Sequence, residues 1–211
     1  RMSAAQTPGK VWASLGAAVV AIVAGVVAIE GGYVNDRNDA GGETNHGITA
    51  KVAREHGYEG PMRSLQVEKA RDIYADTYIH TPKFDRVLAQ SPAVGTKVVD
   101  IGVNAGPARA ARWFQQSLND LSRGSRDFAP VAVDGDIGAR TIAAYSALEK
   151  RRGRVKACEL VLKLLDGYQT AHYAALAKGP ANSSFIVGWL DHRIGNVPLA
   201  RCTETVTGVL L

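Results

Sequence analysis

The chain has 211 residues, room for one domain or for one domain with a small appendage, and its 46% hydrophobic and 21% charged composition excludes a disordered or collagen-like protein. Two cysteines, Cys158 and Cys202, are too few for a disulfide framework and make no zinc-ligand pair, so core packing must hold the fold. The formal net charge of +5 favours an acidic partner, and leaves nucleic acid, anionic lipid and an anionic wall polymer all open.

In chain order, the first feature is Val11 to Ile29, nineteen residues without a charge between Lys10 and Glu30. That length nearly spans a bilayer. Alanine, glycine and valine dominate it, so its insertion is marginal, and it can both enter a membrane and leave. Lys10 places the N-terminus in the cytoplasm and the rest of the chain in the periplasm. The soluble alternative is a buried core helix, since Gly16, Gly25 and the alanines also suit close packing. Next, EGGYVNDRNDAGGETNHG from Glu30 to Gly47 is glycine-rich and lacks a helical period, which predicts a loop or short hairpin with polar tips.

Helical spacing predicts Ile48 to His56, Val67 to Tyr78, Pro92 to Val103, Ala108 to Leu121, Gly138 to Lys150, Val155 to Ala177 and about Ser183 to Ile194. Val67, Ala70, Ile73, Tyr74 and Tyr78 share one face, and their aromatics are assigned to the core. The same assignment covers most of Trp113, Phe114, Tyr168, Tyr173, Phe185 and Trp189. The basic run Lys150, Arg151, Arg152, Arg154 and Lys156 reads as a solvated helix face. No strand run follows residue 50, and the weakest joints are Leu121 to Pro130 and Lys178 to Ser184.

Four carboxylates, Glu30, Asp36, Asp39 and Glu43, crowd around the glycine-rich turn. Cleavage of a glycosidic bond needs one acid held protonated by apolar surroundings, and a second carboxylate or a water-positioning group across the sugar ring. Glu30 suits the acid: at the C-terminal end of an apolar helix, both its neighbours and the local dipole disfavour ionisation. Asp39, nine positions on in polar company, suits the ionised partner. A calcium loop fits the spacing poorly. There is no HExxH, GxSxG or GxxxxGK, so metal, serine-hydrolase and nucleotide chemistries drop out and no cofactor is expected.

The stretch EGGYVNDRNDAGGETNHGIT, Glu30 to Thr49, resembles the opening motif of glycoside hydrolase family 108, phage and bacterial muramidases that cleave peptidoglycan. The similarity continues through GYEGPMRSL, ARDIYADTY and VVDIGVNAGPARAARWFQQSLN, then through VDGDIGARTIAAY and FIVGWLDHRI, which resemble the peptidoglycan-binding region of that family. The resemblance implies a mainly α, lysozyme-like fold with a small glycine-rich turn or β-hairpin near the active site. It implies a membrane segment at residues 1–29, a catalytic region at 30–121 and a helical peptidoglycan-binding region at 122–211 sharing the core.

By the same resemblance Glu30 is the catalytic acid and Asp39 its partner. Phage-type lysozymes place a threonine six residues after the aspartate; Thr44 comes one residue early, which leaves the water-positioning role open among Thr44, Asn45 and Thr49. His46 stands where tryptophan is common, and its plainer reading is a hydrogen-bonded loop residue. Asn45, His46, Thr49, Asn104 and Trp189 are the implied substrate contacts, with Trp189 or Tyr173 bordering a glycan groove.

The expected activity is hydrolysis of the bond between N-acetylmuramic acid and N-acetylglucosamine by a monomer that uses no metal and binds no nucleic acid. The rivals are a lytic transglycosylase and a non-catalytic, membrane-tethered peptidoglycan-binding module. Some phage endolysins carry a weakly apolar signal-arrest-release anchor of the kind seen here, which implies inner-membrane lipid as a first partner and the periplasm as the working compartment. Cys158 and Cys202 would both reach that oxidising compartment, where a single bond between them is compatible with, but not decided by, their spacing.

Overall fold

A computed structural model describes residues 33, 43–180 and 182–205. The chain divides into two units, Arg1–Thr77 and Tyr78–Leu211. The expected mainly α class holds: among the described residues there are eight α-helices and one two-stranded antiparallel hairpin.

In the first unit, β1 (Thr44–Asn45) pairs with β2 (Ile48–Thr49), Thr44 opposite Thr49 and Asn45 opposite Ile48. His46 and Gly47 have φ of 51° and 74°, the two positive values that a two-residue hairpin turn matching strand twist requires. The helix expected from Ile48 starts later, because Ile48 and Thr49 complete this hairpin. The Thr49 hydroxyl then caps α1 (Ala50–Glu55), accepting from the Val52 amide at 3.3 Å. Gly57, at φ 74°, ends that helix: its amide donates to Arg54 O and the Tyr58 amide to Ala53 O, satisfying two terminal carbonyls. A 3-10 turn, Met62–Ser64, and α2 (Val67–Ala75) follow. Ala70, Ile73 and Tyr74 are buried as their spacing predicts, whereas Val67 and Tyr78 are only half-buried. A π-helical turn, Asp76–His80, takes the place of the last helical turn expected there.

The second unit contains α3 (Phe84–Gln90), α4 (Pro92–Ala105), α5 (Pro107–Leu121), α6 (Ala139–Arg152), α7 (Arg154–Leu176) and α8 (Ile186–Arg193). Helix α3 is too short, and too poorly capped at Lys83, to give a periodic signal; the 3-10 turn Leu199–Thr203 escapes prediction for the same reason. Helix α4 is buried on almost every side from Ala93 to Gly102. It packs so closely on α3 that a Cβ on Gly95 would lie 2.6 Å from Leu88 Cα. Phe114 meets Tyr145 edge to face at 5.7 Å in the centre of this core. Buried Gln115 ties the loop before α6 to α5: its amide nitrogen donates to Asp134 Oδ1 (2.8 Å) and Asp136 O (3.0 Å), and its oxygen accepts from Gly135 N (2.8 Å).

Charge is also buried here. Lys97, 1% exposed, reaches Asp166 Oδ1 at 2.6 Å and donates to Arg193 O (2.6 Å) and Asn196 Oδ1 (3.0 Å). One turn along α4, Asp100 accepts from Arg193 Nη1 at 3.0 Å. Such charges are tolerated inside a protein only when paired and hydrogen-bonded. Cys158 and Cys202, both buried, form a disulfide that joins α7 to the last 3-10 turn.

Candidate functional site

The site expected from the sequence falls on both units. Glu30 and Asp39, the expected acid and its partner, lie outside the described residues, as does Val11 to Ile29. Among the described residues no helix is long and apolar enough to cross a membrane.

The hairpin brings together four of the remaining candidates. Alternation along paired strands puts the side chains of Thr44 and Thr49 on one face and those of Asn45 and Ile48 on the other. Asn45 and Ile48, each 4% exposed, point into the unit, while Thr44 and Thr49 stay half-exposed. The buried Asn45 amide donates to Met62 O at 2.7 Å, which fixes the hairpin against the 3-10 turn. His46 occupies the turn itself, half-exposed. Thr49 combines its helix-capping bond with a place on the half-exposed face. Of the three candidates for positioning water, Thr44 and Thr49 therefore lie on the half-exposed face, and Asn45 uses its nitrogen inward.

Sequence reading passed over a second cluster. The Tyr33 hydroxyl donates to Glu43 Oε1 at 2.8 Å, and the Arg63 guanidinium lies 4.4 Å from the Tyr33 ring centre. A phenol, a carboxylate and a cation thus converge beside the hairpin, and the Glu43 carbonyl accepts from Ala50 N at 2.8 Å to close its base. The tyrosine within EGGYVND was the signal, but its partners are ten and thirty residues away.

In the second unit, Asn104 is exposed on the last turn of α4, its amide donating to Asp100 O at 2.7 Å. Trp189 on α8 is half-exposed and stacks on Tyr173 at 5.0 Å and on Phe185 at 5.9 Å. The assignment of most aromatics to the core applies to Phe114 and Tyr173; Trp113, Tyr168 and Trp189 are half-exposed and Phe185 is 55% exposed. Among the described residues no cluster of His, Cys, Asp or Glu is arranged to hold a metal ion.

Residues 23–106 match the family model of glycosyl hydrolase 108, and residues 109–194 match that of a predicted peptidoglycan domain. A solved structure of SagA from Brucella abortus is similar over 91% of this chain and 98% of that one, with 27% identity and a TM-score of 0.57. No curated protein matches the sequence.

Proposed function

We propose that this chain, whose residues 23–106 match the glycosyl hydrolase 108 model and residues 109–194 a predicted peptidoglycan domain, is a muramidase cutting between N-acetylmuramic acid and N-acetylglucosamine. The pairing of a glycosidase domain with a peptidoglycan domain in one chain carries this reading. Glu30 gives its proton to the leaving glycosidic oxygen. Asp39 is its ionised partner, and a hydroxyl from Thr44 or Thr49 orients the attacking water. Asn45 holds the hairpin that carries both threonines, while His46, Asn104 and Trp189 contact the glycan.

The same reading makes the protein a phage endolysin that reaches the periplasm through a temporary stay in the host inner membrane. The family match supports it by starting at Val23, inside the apolar segment, so that the last seven residues before Glu30 belong to the glycosidase domain. A segment held in lipid cannot take its place in that domain, and Glu30 is then inactive. Release lets the segment fold and carries Glu30 to the substrate.

Mass spectrometry of digested sacculi tests the chemistry. Wild type should release fragments with reducing muramic acid ends, and Glu30→Gln should lower the rate about 10³-fold. Anhydro ends would assign the reaction to a transglycosylase, and undiminished cleavage by Glu30→Gln would remove the acid. Replacing several alanines of Val11 to Ile29 by leucine should keep the protein in the membrane fraction and delay lysis; unchanged timing would remove the anchor.

A further inference from the structure

The second unit carries a run of aromatic rings that its core does not use up. Trp113 on α5 lies nearly parallel to Tyr168 on α7, with ring centres 6.3 Å apart and planes 20° apart. Trp113 also meets His172 at 5.5 Å, and His172 leads at 6.1 Å to Tyr173, on which Trp189 stacks. Large rings left half-exposed and touching one another mark a binding surface.

Its surroundings say what it binds. The Tyr168 hydroxyl donates to Asp120, whose other oxygen accepts from Gln116 at 2.9 Å, so the ring is held in place before any ligand arrives. Arg109 stands one turn before Trp113 on the same helix face, and Arg112 one turn after Arg109. Together with Ala105 to Ala108, these three residues line a recess of about 420 Å³ where α4 meets α5. Arg109 is engaged internally: it donates to Ala105 O at 2.9 Å and lies 3.3 Å from His172 Nε2. Burial, aided by that guanidinium, holds His172 below its ordinary pKa, so its ring is neutral beside the tryptophan. Arg112 is exposed at the mouth, beside Gly135, and its charge also acts on Asp134.

Flat apolar faces next to an exposed guanidinium suit a ligand with C–H faces and a pendant carboxylate. A peptidoglycan strand has both, in its pyranose rings and its stem peptides. We infer that Trp113, Tyr168 and Arg112 form a glycan-binding surface of the second unit, the rings taking sugar faces and Arg112 a stem-peptide carboxylate. This rests on peptidoglycan being the substrate, but not on which bond is cut.

The test is binding of the full chain to purified sacculi, with Trp113→Leu and Arg112→Ala. Each should weaken binding about tenfold while circular dichroism stays unchanged. Wild-type affinity in either folded variant overturns the surface, as does an Arg112→Ala loss that added salt reproduces in full in the wild type. Should Trp113→Leu misfold, nuclear magnetic resonance of wild type with N-acetylglucosaminyl-N-acetylmuramyl dipeptide, which lacks the bond a muramidase cuts, decides. Sugar C–H resonances should move upfield over the rings; unshifted resonances in the bound ligand overturn the proposal. Ring-dependent binding without cleavage would remove the muramidase reading alone, and cleavage with ring-independent binding would remove this surface alone.

Discussion

In the first unit the hairpin is placed by contacts that are close in sequence: a two-residue turn, a cap three residues on, and the Asn45 amide on Met62, seventeen residues away. In the second unit the decisive contacts are distant, with Lys97 bonded to Arg193 across 96 residues and Cys158 to Cys202 across 44. Local contacts close at small entropic cost but are individually weak, so one side chain can displace the hairpin. Distant contacts cost more to close, and a covalent one constrains the unfolded chain more the longer the loop it closes. The expected chemistry therefore stands on the part that single changes disturb most easily, and the helical unit should resist all but the loss of its cross-links.

The largest effect expected on this contrast is from Cys202→Ala. Opening a ring of this length should cost about 4 kcal/mol in the chain-entropy model, read from urea denaturation of the helical unit. A loss below about 1 kcal/mol would place the resistance elsewhere. Asn45→Leu should cost about 1 kcal/mol, since it removes one of the two donors to the buried Met62 carbonyl and leaves it the Leu65 amide alone. Amide exchange should confine that loss to the hairpin, with cleavage falling and the melting of the helical unit unmoved. Spread of the loss into both units would break the comparison.

The smallest effect is electrostatic and belongs to the second unit. Burial pushes the Asp127 carboxyl up, but a hydrogen bond from Arg151 and the charges of Arg152 and Arg123 outweigh it and leave it low. The Asp136 amide and Gln115 hold Asp134 low as well. Both contributions are complete above the ordinary value of 3.8 and fade as pH falls through the lower folded values. The melting temperature should therefore drop below about pH 4, and less steeply in Asp127→Asn. Identical slopes would show that Asp127 plays no part.

The helices were legible in the sequence because their apolar spacing is what the core reads: α4 to α7 begin and end within two residues of expectation. The hairpin turn was legible from glycine. Its second strand was not, since Ile48 and Thr49 also suit a helix start and only pairing with Thr44 and Asn45 decides. The basic run after Glu149 is exposed as its solvated reading expects, and Arg151 and Arg152 also pair with Asp127, a residue beyond the reach of any helical period. The Tyr33, Glu43 and Arg63 cluster and the ring series escaped for the same reason: sequence gives the residues, but not which helix face meets which.

Every partner that Lys97 reaches in the second unit, Asp166, Arg193 and Asn196, lies between Cys158 and Cys202. The covalent ring thus encloses one side of the buried ionic knot and raises the effective concentration at which the lysine meets it. Severing the sulfur link dilutes those partners as well as freeing the tail, so the two devices are thermodynamically coupled and their separate losses will not sum.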